Sequence, residues 1–95
     1  MIKPTEADLE CHARALAALG QVSRLRIVKL LLAEGSEGLP AGEIAKRLDL
    51  SQNGSSTHLS VLARAGLLNK TQAGRLVIYS ARRDVLAALA SDIAS

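Results

Sequence analysis

Between Ser51 and Arg75 the chain gathers side chains suited to contact with a polyanion. Asn53, Ser56, Thr57, Ser60 and Arg64 recur at i, i+3, i+4, i+7 and i+11, which places them on one face of a helix. Gln52 and Asn53 carry amides that can pair bidentately with adenine, and Ser or Thr hydroxyls serve several bases. Ser51 precedes them as an N-cap, at a helix end whose free N–H groups also favour a nearby phosphate. Lys70 and Arg75 follow as further cations. From Leu50 to Arg83 there is no Asp or Glu, although about three would be expected at the average acid content of the chain. A merely solvated polar face would account for the hydroxyls. It would not account for the missing acids, nor for the weak helix formers Asn53, Gly54 and Ser55, where stability alone favours Glu, Lys and Ala. The pattern points to nucleic acid.

Charge placement agrees. Residues 1–50 hold seven basic and seven acidic side chains, whereas residues 51–95 hold five basic and two acidic, which carries the whole net charge of +3. A peripheral membrane protein could also be basic, but this stretch has no amphipathic helix with a Lys-rich face.

The elements that must position these groups are mainly helical. Thr5, with Asp8 three residues on, is a capping-box-like start, and Gly20 a stop, for a first helix over about 6–19 lined by Leu9, Ala13, Leu16 and Leu19. Ser23 is expected to cap a second helix from Arg24 to about Glu34, apolar nearly all round and therefore central. Gly35 to Pro40 reads as a polar connector. A third helix (about 41–48) buries Ala41, Ile44, Ala45 and Leu48. Only Asp49-Leu50-Ser51 separates it from a fourth, which runs to Ala65 with Gly66 beyond its end and turns Leu59, Leu62, Ala63 and Ala65 inward. Two short helices joined by so short a turn form a helix-turn-helix, here over 41–65. Leu67–Gln72 and Leu76–Ser80 read as strands of a hairpin turning at Ala73-Gly74, a wing over 67–80. A last helix (83–94) places Leu86, Leu89, Ala90 and Ile93 on one stripe that needs cover. The expected fold is a single domain over 1–95, mainly α with a small β-hairpin.

Composition bounds the alternatives. Ninety-five residues make one small domain, and so small a core favours association. Seventeen Leu and sixteen Ala against ten Val plus Ile support a helical chain. The single cysteine, Cys11, cannot close an internal disulfide and suits a reducing compartment, so the expected location is the cytoplasm. No apolar run reaches a membrane span, and Met1-Ile2-Lys3-Pro4 lacks the apolar stretch of a secretory signal. An enzyme is not expected: two histidines, one cysteine and no paired carboxylates near them leave no general-base constellation.

Several segments together resemble the ArsR/SmtB winged-helix repressors. They are Ala18-Leu19-Gly20 with Ser23-Arg24-Leu25-Arg26-Ile27, Gly42-Glu43-Ile44-Ala45-Lys46-Arg47-Leu48 and Leu50-Ser51-Gln52-Asn53. Ser56, His58-Leu59, Val61-Leu62, Ala65-Gly66-Leu67, Gly74-Arg75 and Tyr79-Ser80 extend the match over about residues 12–90. The resemblance implies a homodimeric transcription repressor on double-stranded DNA, with the fourth helix in the major groove and the hairpin as wing. Carried over by position, Ser51, Gln52, Asn53, Ser56 and Thr57 face the groove, and Lys70 and Arg75 are wing contacts. The terminal helices 5–19 and 83–94 become the dimer interface, with Leu9, Leu16, Leu86, Leu89, Ala90 and Ile93. By their place on the same face, Ser60 and Arg64 join the DNA set.

The chain departs from the family where members sense signals. Gly42-Glu43-Ile44 stands where many carry metal-binding cysteines, and the last helix has Asp84 and Asp92 but no histidine. No metal and no cofactor is therefore expected, and the inducer is left open. Cys11 and His12 could supply ligands across a dimer, or Cys11 a redox switch, but such residues on an Ala-rich helix are more often a small packed thiol and a partly exposed ring. His58 reads as a hydrogen-bonded structural residue. The rival function is a winged-helix module that docks on protein without touching DNA.

Overall fold

A computed structural model describes residues 4–94, so the expectation for Met1-Ile2-Lys3 and the outermost ends of the 1–95 domain lie outside the described residues. The chain forms α1 (Glu6–Leu19), α2 (Val22–Glu34), β1 (Leu39–Pro40), α3 (Ala41–Arg47), α4 (Gln52–Arg64), β2 (Leu68–Ala73), β3 (Leu76–Ala81) and α5 (Arg83–Ala94). Ile27 and Leu31 of α2, Ile44 of α3, and Leu59 and Leu62 of α4 are fully buried together with Leu67. α2 is thus central to the core through Ile27, Val28 and Leu31, although Val22 and Leu25 on its other side stay exposed.

α1 begins with a complete capping box: the Asp8 N–H donates to Thr5 Oγ1 (3.2 Å) and the Thr5 N–H donates to Asp8 Oδ2 (3.0 Å). Backbone and side-chain hydrogen bonds from Thr5 hold the Asp8 carboxyl below its ordinary range. A depressed carboxyl pKa gives stability that is full above the unfolded value and fades as pH falls through the lower folded one. Relative to the intrinsic exchange rate at each pH, protection of the Asp8 amide should therefore fall on acidification below about pH 4, and protection unchanged down to about pH 3 would contradict the role of this cap. The inward face of α1 is Ala15 and Ala18, whose small side chains allow close approach, while Leu9 and Leu16 remain 47% and 45% exposed.

α2 starts two residues earlier than expected. Its cap is Gln21, not Ser23, because the longer amide reaches back over the first turn and Oε1 accepts the Arg24 N–H at 3.0 Å. The segment expected as a mere connector contains β1. There Leu39 pairs with Tyr79 and Pro40 with Ile78, so the hairpin becomes a three-stranded antiparallel sheet in the order β1-β3-β2. β2 pairs with β3 from Leu68↔Ala81 to Ala73↔Leu76. The two-residue turn is accordingly Gly74-Arg75, one residue later than the sequence reading placed it, and Gly74 takes the positive φ (+62°) that it supplies without steric cost.

The turn between α3 and α4 is tight. Asp49 takes φ +52°, a left-handed conformation that Asp tolerates better than most residues, and the Leu50 N–H returns to Ala45 O at 2.9 Å. α4 then presents Ser55, Leu59 and Leu62 to the core. Ser55 is 2% exposed and its hydroxyl has no hydrogen-bond partner among the described residues. An unsatisfied buried hydroxyl costs about 1–3 kcal/mol, so Ser55→Ala should raise the urea midpoint by an amount equivalent to about 1 kcal/mol. An unchanged or lower midpoint would contradict it.

Candidate nucleic-acid interface

α4 and the β2–β3 hairpin carry the side chains that the sequence singled out. Gln52, Asn53, Ser56, Thr57, Ser60 and Arg64 are all exposed on α4. Ser51 lies just outside the helix as its cap, and its Oγ accepts the Gly54 N–H at 3.0 Å. Thr57 Oγ1 donates to the Asn53 carbonyl of its own helix at 3.0 Å, which leaves only its acceptor capacity facing outward. Ser51 and Thr57 therefore shape the ridge before they contact anything. Among the described residues the side chains of Gln52, Asn53, Ser56 and Ser60 make no hydrogen bond and are free to read base edges.

A Cβ at Gly54 would sit 2.8 Å from Ser51 Oγ, so a side chain at that position would make the capping hydroxyl shift.

The wing stands away from the core. In β2 only Leu68 is buried, and Asn69–Ala73 are exposed throughout. Lys70, opposite Tyr79, and Arg75, in the turn, are exposed and have no ion-pair partner among the described residues. With Arg64 they form three unpaired cations on a segment that contains no acid. Of the helix-turn-helix carboxylates, Glu43 pairs with Arg47 at 3.0 Å; Arg47 also pairs with Glu34 of α2, and both hydrogen bonds hold its guanidinium firmly charged.

His58 has the structural role expected of it, half-buried with Nδ1 lying 3.5 Å from Arg24 Nη1. Cys11 is exposed on α1, and His12 Nε2 lies 3.3 Å from Asp92 Oδ2, joining α1 to α5. No group of three or more His, Cys, Asp or Glu that could hold a metal occurs among the described residues. Of the stripe expected at a dimer interface, Ile93 (56%) and Ala90 are exposed and Leu86 is half-buried. Leu89 is only 5% exposed, because it packs into the core of its own chain, and it is not open to a partner.

A two-helix reader whose second helix offers an uncommitted polar ridge, flanked by a cationic hairpin, defines a winged helix-turn-helix protein. The comparisons agree. The family model described as a helix-turn-helix domain matches residues 19–71. The transcriptional activator HlyU of Vibrio cholerae is 38% identical over 65 residues, which span 68% of this chain and 57% of HlyU. The solved structure of that protein superposes with a TM-score of 0.77 at 32% identity, over 92% of each chain. An ArsR-like transcriptional regulator from Rhodococcus sp. RHA1 gives 0.78 at 28% identity, covering 90% of this chain and 77% of its own. The homodimeric winged helix-turn-helix DNA-binding domain of Mb0332 from Mycobacterium bovis, a possible ArsR-family regulator, gives 0.76 at 27% identity, covering 99% and 90%. The chain belongs to the ArsR/SmtB family of winged-helix DNA-binding transcription regulators.

No helix among the described residues is long and apolar enough to cross a membrane.

Proposed function

We propose that two copies of this chain pair through α1 and α5 and repress transcription in the cytoplasm by gripping an inverted-repeat operator. The observation that carries this reading is the ridge of α4: free amides and hydroxyls, three cations without acidic partners, and no acid from Leu50 to Arg83. Gln52, Asn53, Ser56 and Ser60 set sequence choice, with Ser51 and Thr57 holding the helix start and offering their oxygens, while Arg64, Lys70 and Arg75 hold phosphates. The Mycobacterium bovis neighbour is homodimeric, and here Leu9, Leu16, Leu86, Ala90 and Ile93 supply an apolar surface for the same pairing. Pairing sets the two copies of α4 about 34 Å apart, one DNA turn, on one face of the duplex. The chain acts by occupancy, without catalysis; whether occupancy represses or, as the name of HlyU records for that relative, activates depends on where the operator lies relative to a promoter.

The test is a titration of labelled duplex at several salt concentrations. Affinity should fall by nearly one logarithm per logarithm of salt for each phosphate neutralised. A flat salt dependence, or no binding at about 50 mM salt, would overturn the proposal and favour a module that docks on protein.

A further inference from the structure

A cleft of about 410 Å³ opens between α1, α2 and α4, beside the ridge and sharing Arg64 with it. Its floor is small and apolar: Ala17, Ala18, Val61 and Ala65. Around it stand Arg14 from α1, Arg24 from α2 and Arg64 from α4. No carboxylate pairs with any of the three, since the ion pairs among the described residues engage Arg47, Arg82 and His12. Arg24 is also held in place. Its Nε donates to Ala18 O at 2.6 Å and its Nη1 lies 3.5 Å from His58 Nδ1, so the plane of the guanidinium is fixed and Nη2 keeps both donors.

Three like charges around one cavity repel each other, and an anion relieves that repulsion. A DNA backbone would need the cations but has no use for an apolar floor. An open groove of this size, apolar at its base and rimmed by a few cations, can seat the apolar body of a small molecule with its charged end at the rim. The oriented guanidinium suits the planar, bidentate geometry of a carboxylate.

We propose that this cleft binds a small organic anion, an acidic group on an apolar body, and that the occupant competes with DNA for Arg64. The competition rests on the reading of α4 as a DNA-contacting ridge, so binding is measured first without DNA. The probe is naphthoate, with naphthalenemethanol as its neutral counterpart and inorganic phosphate as an anion without a body. In methyl-labelled protein, naphthoate should shift the signals of Ala17, Ala18, Val61 and Ala65, with the alcohol and phosphate binding at least about tenfold more weakly. Arg14→Gln and Arg64→Gln, both at exposed positions, should each weaken naphthoate by about tenfold. Ala17→Leu, which fills the floor without changing charge, should abolish binding while circular dichroism stays that of the wild type. Naphthoate should then weaken duplex binding by the wild type but not by Ala17→Leu.

No methyl shift at millimolar naphthoate overturns the site, and so does equal binding of the alcohol or of phosphate. Methyl shifts with unchanged duplex affinity uphold the site and overturn the competition. Methyl shifts in a protein that binds no duplex at any salt concentration uphold the site and overturn the DNA reading instead.

Discussion

Gly38→Ala should lower the melting temperature by roughly 12–24 °C, the equivalent of about 3 kcal/mol in a domain of this size. Gly38 has φ +68°, where an L side chain costs about 1–2 kcal/mol. A Cβ there would also lie 2.1 Å from Tyr79 O and 2.8 Å from Tyr79 C. Both obstacles are backbone atoms of β3, so neither can swing aside, and relief requires β1 to leave the sheet. The next residue, Leu39, pairs with Tyr79 and is itself buried, so the loss reaches the core. Gly66→Ala is the control: its φ is +80°, but nothing lies within 4 Å of the added carbon. It should cost only the conformational strain, about 1 kcal/mol. Equal thermal shifts for the two variants, read by circular dichroism, would show that the contact with Tyr79 is not what demands glycine at position 38.

The second large effect separates recognition from grip. Gln52→Ala should cost about 1–3 kcal/mol per half-site against operator DNA and little against random duplex, because an amide that pairs with one base edge discriminates only where that base is present. In a dimer the cost counts twice, about 2–6 kcal/mol, so operator affinity falls by about 30-fold to about 20,000-fold. Arg75→Ala should weaken every sequence alike and reduce the slope of log K against log salt by about 1.8, two phosphates each worth about 0.9. Gln52 is free of intramolecular hydrogen bonds and Arg75 is exposed in the wing turn, so neither change disturbs a contact of the folded chain. Equal losses on operator and random DNA for both variants would refute this division of labour.

Much of this arrangement is legible in the residues, and the gaps have physical causes. The capping box at Thr5 and Asp8, the Ser51 cap and the glycine turn of the wing are local devices, written within four residues, and their elements fall within a residue or two of expectation. The exposed side of α4 follows from its period. β1 does not: two residues have no periodicity, and Leu39-Pro40 is a strand only because Tyr79 and Ile78 lie beside it. α1 presents two apolar stripes, one of leucine and one of alanine, and pattern alone prefers the larger side chains. Packing chose Ala15 and Ala18, because helices that approach closely leave no room for leucine. Ser55 sits at the inward spacing of Leu59 and Leu62, but its polarity hides it from a hydrophobic pattern. The arginine-rimmed cleft exists only where α4 packs against α1 and α2, which lie far from it in sequence, and no single segment announces it.

β1 ends at Pro40, and Pro40 is also the N-cap of α3. The sheet that carries the wing therefore passes into the helix pair that carries the reader, with no slack residue between them. On the proposed reading, the distance between the groove that α4 would enter and the backbone that the hairpin would touch is set within each copy of the chain, so adjustment to an imperfect target would come from bending the duplex or tilting one whole copy against the other.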